Sequence, residues 1–250
     1  MEEKNLSADN YESVGEFKDR IKKLEQIIGY TFKDKSLLLA AITHRSFVAE
    51  YHKRIPDYEV LEFLGDAVIS LIISEILIKQ FPHAREGELS QYRSAIVSEA
   101  YLSKLARNVH FQDFVLISKG EKYQKGAERE SLLCDVFEAV FGAIYTDCQY
   151  DLDIPREIFN KNFKEIVISD IQQENLPRDY KSLLQIETQR LYGKIPTYRL
   201  ISSEGPEHDK TFTVECHVEE IRTTGKGKSK KEAEARAAKE AFKKLKSEGK

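Results

Sequence analysis

Two apolar segments of the chain carry carboxylates at helical spacing. The first has the sequence YEVLEFLGDAVISLIISEIL and contains Glu59, Glu62 and Asp66, which at i, i+3 and i+7 lie along one stripe of a helix. The second, LLCDVFEAVFGAIY, contains Asp135 and Glu138 at i and i+3. Because an ionised carboxylate in apolar surroundings costs several kcal/mol, these acids must be paired, protonated or bound to a cation.

Neither segment supplies a basic residue that could neutralise these acids. No Lys or Arg falls between Tyr58 and Ile78 or between Ser131 and Pro155. If the two helices pack together, four or five carboxylates converge on one point, which is the ligand set that Mg²⁺ or Mn²⁺ prefers. A divalent cation would also offset their mutual repulsion. The alternative is that each acid separately caps a helix or meets a distant Arg.

The part of the chain that contains both acidic segments has a helical pattern from Phe17 to about Gln172. Apolar residues recur at helical spacing in LLLAAITH and in LSQYRSAIVSEAYLSKLA, and no stretch alternates as a strand does. We therefore predict an all-α domain over residues 15–171. The polar stretch QQENLP at residues 172–177 contains a proline and predicts a linker.

A second, smaller domain is predicted over residues 178–247, where the hydrophobic period changes. A helix that ends at Gly193 is followed by TYRLIS and TFTVECHVE, which alternate as strands do, and by a third candidate strand at Glu220 to Thr224. A final helix has small and apolar residues in one row: Ala233, Ala237, Ala241 and Leu245. The predicted order is α-β-β-β-α.

Basic residues concentrate in the last part of the chain. Residues 222–246 hold ten Lys or Arg against three Glu, a local charge of +7 in a chain of net charge −3, which indicates a polyanionic partner. The sequence GKGKS superficially suggests a nucleotide-binding Walker loop. That motif requires a glycine where Arg222 stands, and a parallel βαβ unit, so we expect no nucleotide cofactor. Lys230 and Lys231 in the first turn of the final helix can instead clamp phosphates.

Four blocks of the sequence resemble the bacterial ribonuclease III family. LEFLGDAV resembles the signature of that family's nuclease domain, and SLLCDVFEAVFGAIYTD resembles its second acidic helix. AITHRSF and REGELSQYRSAIVS resemble two further blocks, in the family's order and spacing. The resemblance runs from about Ile21 to Leu245 and implies an all-α endonuclease domain followed by a small α+β domain that binds double-stranded RNA.

The resemblance implies a reaction and a set of residues for it. The family hydrolyses double-stranded RNA, leaves 5′-phosphate and 3′-hydroxyl ends, and acts in rRNA and mRNA processing, with Mg²⁺ as cofactor and Mn²⁺ able to substitute. Glu59 and Glu86 match two assisting acids, although solvated surface acids are an equal alternative. The metal-ligand positions of the family fall on Glu62, Asp66, Asp135 and Glu138, of which Asp66 and Glu138 are the two assigned as catalytic.

Two other positions near the first acidic segment bear on the site. His44 falls in the THRSF block, where a structural hydrogen-bonding role is favoured over acid–base catalysis. Many family members have Asn-Glu-Arg before LEFLGD, whereas this chain has Tyr58, Glu59 and Val60. The acid is retained, so we expect a change of local contacts and not of the catalytic centre.

The resemblance also assigns RNA contacts to the small domain. Such domains recognise the shape of A-form RNA through minor-groove hydroxyls and the flanking phosphates. Lys230 and Lys231 are expected to meet phosphates, and Gln185, Gln189 and His208 to face the minor groove; the alternative is a merely solvated basic face. The family usually has Gln-Glu in the first helix, whereas Ile186 here separates the two residue types, and we expect Ile186 to turn inward.

The cysteines and the start of the chain predict a compartment. The three cysteines lie in apolar segments and form no C-x-x-C pair, which indicates reduced thiols. The first residues do not resemble a signal peptide. The longest apolar run, Ala67 to Leu77, is too short to span a bilayer and is interrupted by Glu75. We therefore predict a cytoplasmic protein with no membrane partner.

The number of active centres predicts an oligomeric state. Cutting both strands of a duplex requires two centres and one chain supplies one acidic cluster, so we expect a homodimer with two-fold symmetry. One alternative is a catalytically silent dimer that only binds double-stranded RNA. A second is a carboxylate metalloenzyme for a smaller phosphate compound. The presence of all four acids disfavours the first alternative, and the basic C-terminal domain disfavours the second.

Overall fold

The computed structural model describes residues 17–51, 55–173, 175–177, 179–206 and 210–248. The chain divides into two compact units, Met1–Pro177 and Arg178–Lys250. This division lies at the end of the stretch that was predicted to be a linker.

The described part of the first unit contains α-helices and short 3-10 turns. Its only β pairing among these residues is an isolated bridge between Thr43 and Leu116, so the all-α prediction is confirmed. The helices are α1 (Lys18–Ile28), α2 (Lys35–Ala41), α3 (Arg45–Tyr51), α4 (Glu59–Gln80), α5 (Glu86–Ile96), α6 (Glu99–Asn108), α7 (Lys119–Tyr123), α8 (Glu130–Asp147), α9 (Asp153–Asn162) and α10 (Lys164–Gln172).

Helices α4 and α8, which carry the acidic segments, pack with their backbones in contact. A Cβ atom on Gly65 of α4 would lie 1.8 Å from the carbonyl oxygen of Glu138. A Cβ atom on Gly142 of α8 would lie 2.1 Å from the carbonyl oxygen of Leu61. Only glycine permits so close an approach, and it brings the two sets of carboxylates to the same place.

The C-terminal end of the first unit is fastened to α6. The Asp170 carboxylate accepts hydrogen bonds from the Tyr101 hydroxyl at 2.8 Å and from Lys104 Nζ at 2.6 Å. Beyond α10, the backbone N–H of Asn175 donates to the carbonyl of Asp170, and Leu176 is buried in the core of this unit. The segment predicted as a linker therefore packs against the first unit at least as far as Leu176.

The second unit has the predicted order of elements. It consists of α11 (Tyr180–Tyr192), β1 (Thr197–Glu204), β2 (Thr211–Val218), β3 (Ile221–Gly227) and α12 (Lys230–Glu248). The three strands form one antiparallel sheet in the order β1-β2-β3. Helix α11 ends at Gly193, which has a left-handed backbone with φ 66°, as the sequence predicted.

The core of the second unit lies between the sheet and the two helices. Val214, Cys216 and Val218 alternate with partly exposed residues along β2 and are buried. The predicted row on the last helix is also buried: Ala233, Ala237, Ala241 and Leu245. A Cβ atom on Gly225 would lie 2.2 Å from the carbonyl oxygen of Ala233. This glycine of the GKGKS stretch therefore allows β3 to approach α12, which agrees with the rejection of a Walker loop.

None of the helices that the structure describes is both long enough and apolar enough to span a bilayer.

Candidate active site

The four predicted metal-ligand carboxylates differ in exposure. Glu62 and Asp66 lie on α4, while Asp135 and Glu138 lie on α8. Glu138 is buried, with 8% of its surface exposed, whereas Glu62 and Asp135 are partly buried and Asp66 is exposed. The cluster thus extends from the contact between the helices to the solvent.

Repulsion among the four acids adds to the effect of burial on the pKa values of Glu62 and Glu138. Burial raises the pKa of Glu138 to about 8, and repulsion from Asp66, Glu62 and Asp135 adds to this effect. Burial likewise raises the pKa of Glu62 to about 6, with further contributions from Asp135, Glu59 and Asp66. Burial also raises the pKa of Asp135. Without a cation, the site therefore favours protonated carboxyls and holds uncompensated negative charge when they ionise.

These four carboxylates do not form a ready-made ligand shell. In the described residues, no three His, Cys, Asp or Glu side chains are grouped closely enough to hold a metal ion. The donor set nevertheless suits a hard divalent cation, since it offers carboxylate oxygens only. None of the four acids forms an ion pair with Lys or Arg among the residues described.

Two side chains that sequence reasoning did not assign touch the cluster. The Tyr58 hydroxyl donates to Asp135 Oδ2 at 3.1 Å, and the Cys134 thiol lies 3.8 Å from Glu138 Oε1. The position of Cys134, four residues before Glu138 on the same helix, could have indicated its contact. No local signal could have indicated that Tyr58 meets a residue 77 positions away.

The remaining acids and the histidine near the site have separate partners. Glu59 is exposed and lies 3.6 Å from Arg45, and it interacts with the cluster through its effect on Glu62. Glu86 is exposed at the start of α5 and accepts a hydrogen bond from the Ser90 hydroxyl at 2.8 Å. His44 Nδ1 accepts a hydrogen bond from the backbone N–H of Ser46, and burial lowers the pKa of the imidazole. A neutral, hydrogen-bonded ring fits the structural role expected of His44.

The residues predicted to contact RNA lie on the two helices of the second unit. Lys230 and Lys231 are exposed in the first turn of α12, and neither forms an ion pair within the described part of the chain. Gln185 and Gln189 are exposed one turn apart on α11. His208, the fifth predicted contact, lies outside the described residues.

The expectation that Ile186 turns inward is wrong. Its side chain is 60% exposed, because Leu184 and Thr188 occupy the buried face of α11. Glu187, the acid displaced by one position, accepts hydrogen bonds from Arg190 and from Lys246 of α12. These bonds lower the pKa of Glu187 to about 2, so the carboxylate links the two helices as an anion.

Comparison with known proteins places the chain in a family. The family model described as Ribonuclease-III-like matches residues 34–161, and the one described as double-stranded RNA binding motif matches residues 180–245. Ribonuclease 3 of Aquifex aeolicus is 44% identical over 225 residues, which cover 90% of this chain and 97% of that protein. Ribonuclease 3 of Nitratiruptor sp. is 42% identical over 228 residues, covering 91% of this chain and 97% of that protein.

A solved structure agrees with these matches. The nuclease domain of ribonuclease III from Campylobacter jejuni is 41% identical, with a TM-score of 0.51, and the match covers 57% of this chain and 98% of that chain. With a helical nuclease unit and an α-β-β-β-α unit that has the double-stranded RNA binding motif, the chain belongs to the ribonuclease III family of double-strand-specific endoribonucleases.

Proposed function

We propose that the chain hydrolyses double-stranded RNA in a Mg²⁺-dependent reaction, with Mn²⁺ able to substitute, and leaves 5′-phosphate and 3′-hydroxyl ends. The observation that carries the proposal is the meeting of Glu62, Asp66, Asp135 and Glu138 on two helices in backbone contact. The raised pKa values of Glu62, Asp135 and Glu138, and the lack of Lys or Arg partners for the four acids among the described residues, are what a cation-binding site without its cation should display.

The proposed chemistry requires water as the nucleophile. Burial raises the pKa of the Cys134 thiol, so this side chain is not a thiolate at neutral pH. A bound divalent cation would supply positive charge beside the scissile phosphate and a Lewis acid that activates water. Water then attacks phosphorus, the bond from phosphorus to the 3′-oxygen breaks, and a proton passes to that oxygen. These changes produce the two proposed ends.

The protein's own part in the reaction is to supply carboxylates at fixed positions as ligands for the cation. Glu138, buried against α4, and Asp135, held by Tyr58, are proposed as the inner ligands. Asp66 is exposed and so lies where a phosphate can approach from solvent. We keep Asp66 and Glu138 as the proposed catalytic pair and Glu59 and Glu86 as assisting acids.

The second unit is proposed to hold the duplex. Lys230 and Lys231 would meet phosphates, and Gln185 and Gln189 would donate to the minor groove, together with His208. Recognition of this kind depends on A-form shape and not on sequence, which suits rRNA and mRNA precursors that share only double-stranded segments. We propose these RNAs as substrates in the cytoplasm, where the three free thiols would remain reduced.

A homodimer is proposed on the basis of one face of α4. The exposed apolar residues of this helix recur at i, i+3, i+11 and i+18, which places them in a single stripe: Val60 (78% exposed), Phe63 (81%), Leu71 (49%) and Ile78 (60%). Large apolar side chains in such a stripe indicate an interface. The nuclease domain from Campylobacter jejuni is a relative with a region involved in dimer formation. We propose that the α4 stripe pairs two copies of this chain.

One incubation tests the proposed reaction. A long RNA duplex with one labelled strand is incubated with the protein in Mg²⁺, in Mn²⁺ and in excess chelator. We expect short duplex products in both metals, no cleavage in chelator, and 5′ ends that accept a new phosphate only after phosphatase treatment. Binding without cleavage in any metal would support the silent dimer instead, and cleavage undiminished by chelator would overturn the metal-dependent mechanism.

A further inference from the structure

We infer that Tyr58 is a positioning residue for the reaction, whose hydroxyl holds the Asp135 carboxylate in the orientation in which the acidic cluster takes up a divalent cation. The inference rests on the proposed metal-dependent function. It concerns a position at which this chain departs from the Asn-Glu-Arg common in the family, and it assigns a role to that departure.

Tyr58 is fixed on several sides. It is buried, with 5% of its surface exposed, and its ring centroid lies 5.8 Å from that of His44. Its backbone N–H donates to the carbonyl of Thr43 at 3.1 Å, and its carbonyl accepts from the N–H of Glu62 at 2.8 Å. The phenol group is therefore anchored by the turn of α4 that carries Glu62, one of the proposed ligands.

The hydroxyl reaches from this anchored position to the other helix. It donates to Asp135 Oδ2 at 3.1 Å and so links the start of α4 to α8. A phenol has one proton to donate, and the bond occupies only one of the two carboxylate oxygens. Oδ1 remains available to a cation, while rotation of the carboxylate is restricted. Partners that orient a ligating carboxylate in this way commonly affect metal affinity or activity about 10–100-fold when they are removed.

A second tyrosine–aspartate pair in the same unit provides a matched control. Tyr101 is buried, with 1% exposed, and donates to Asp170 Oδ2 at 2.8 Å, which fastens α10 to α6. Asp170 is also paired with Lys104 at 2.6 Å, so its charge is already compensated. Asp135 has no such basic partner in the described structure. We therefore expect its hydrogen bond to Tyr58 to orient the carboxylate for a cation as well as to stabilise the fold.

The test compares Tyr58→Phe with Tyr101→Phe, since each removes one buried hydroxyl and keeps the ring. Three quantities are measured in the full-length protein: the Mg²⁺ concentration that gives half-maximal single-turnover cleavage, the rise in Tm that Mg²⁺ causes without RNA, and duplex affinity in chelator. For Tyr58→Phe we expect the Mg²⁺ midpoint to rise about 10-fold, the Mg²⁺-induced rise in Tm to shrink, and duplex affinity to be unchanged. For Tyr101→Phe we expect a lower metal-free Tm with the wild-type Mg²⁺ midpoint.

Saturating Mg²⁺ should largely restore the cleavage rate of Tyr58→Phe, which a misfolded protein could not do. In an Asp135→Asn background, Tyr58→Phe should have little further effect on the Mg²⁺-induced rise in Tm, because the two residues act as a unit. The inference is overturned if Tyr58→Phe keeps the wild-type midpoint, or if Tyr101→Phe shifts it equally. Cleavage by the wild type at an unchanged rate in excess chelator would instead overturn the proposed metal-dependent function. Failure of the inference about Tyr58 and failure of the proposed function are therefore distinguishable.

Discussion

The contact between α4 and α8 predicts a severe effect of adding a single methyl group. In Gly65→Ala the new Cβ atom would lie 1.8 Å from the Glu138 carbonyl oxygen, 2.4 Å from its carbonyl carbon and 3.1 Å from its Cα atom. All three are backbone atoms of a helix, so no side-chain rotation can relieve the overlap. The two helices must separate by about 1.5 Å to reach an ordinary van der Waals distance.

The size of the effect follows from this displacement. Overpacking of a core costs about 1–3 kcal/mol, and a backbone clash belongs at the upper end or beyond. Replacing a helical glycine by alanine returns roughly 0.5–1 kcal/mol. The net loss of about 2 kcal/mol or more corresponds to a Tm lower by roughly 4–8 °C or more for a domain of this size. Because Glu138 moves by more than about 1 Å relative to Asp66, cleavage should fall about 100-fold.

Gly120→Ala is the matched control. Gly120 is also helical, in α7, and the new Cβ atom would lie 3.9 Å from the Ser118 hydroxyl oxygen, an ordinary van der Waals distance. We expect a Tm equal to or slightly above that of the wild type, with unchanged cleavage. The measurements are thermal unfolding by circular dichroism and single-turnover cleavage of a duplex in saturating Mg²⁺. A Gly65→Ala protein with wild-type Tm and rate would show that the helices are not in backbone contact.

Three further predictions concern charge and the domain boundary. The pKa of Glu138 is about 8 in the folded protein, above that of a glutamate in the unfolded chain. The stability of the metal-free protein should therefore fall as pH rises from about 4.5 to 8. Glu138→Gln should flatten this pH dependence in thermal unfolding scans, raise Tm at about pH 8 and abolish cleavage. The double variant Lys230→Ala, Lys231→Ala should weaken binding equally for RNA duplexes of different sequence. It should also reduce the slope of log affinity against log salt concentration by about one for each phosphate that is no longer bound. An unchanged slope in binding titrations would mean that these lysines only solvate the helix. A fragment ending at Pro177, which retains buried Leu176, should fold and dimerise. It should cleave RNA duplexes at low salt but not at physiological salt. A folded dimer that is inactive at low salt would show that the second unit takes part in catalysis.

Periodicity predicted most of the architecture because each unit buries one regular face. The row from Ala233 to Leu245 and the alternation from Val214 to Val218 each allow a single orientation, and both are buried as expected. The prediction that Ile186 turns inward was wrong for a related reason. The expectation considered its apolar character alone, whereas Leu184 and Thr188 already fill the inward positions of α11.

The acidic cluster was predictable only as a set of candidates. Spacing placed Glu62 and Asp66 on one stripe, but it could not show that the residue facing Gly65 would be Glu138. That pairing depends on two glycines in different helices, and the Tyr58 bond to Asp135 depends on the same packing. Long-range contacts of this kind have no local pattern, so the structure was needed to find them.

Helix α4 explains why so apolar a segment contains acids, since its sides meet three different environments. Ile69, Ile72 and Ile73 face the core, whereas Phe63 and Leu71 belong to the exposed apolar stripe. The carboxylates of Glu62 and Asp66 meet a third environment, the negative charge of Asp135 and Glu138 on α8, and this repulsion acts to separate the helices. Burial of the isoleucines and the packing at the glycines oppose this repulsion, so the two helices that carry the acids stay in contact without a cation, although the four carboxylates do not yet form a ligand shell. Repulsion among the acids lowers the stability of the metal-free protein, and cation binding restores that stability. Removing one acid should therefore stabilise the metal-free fold while it abolishes the reaction.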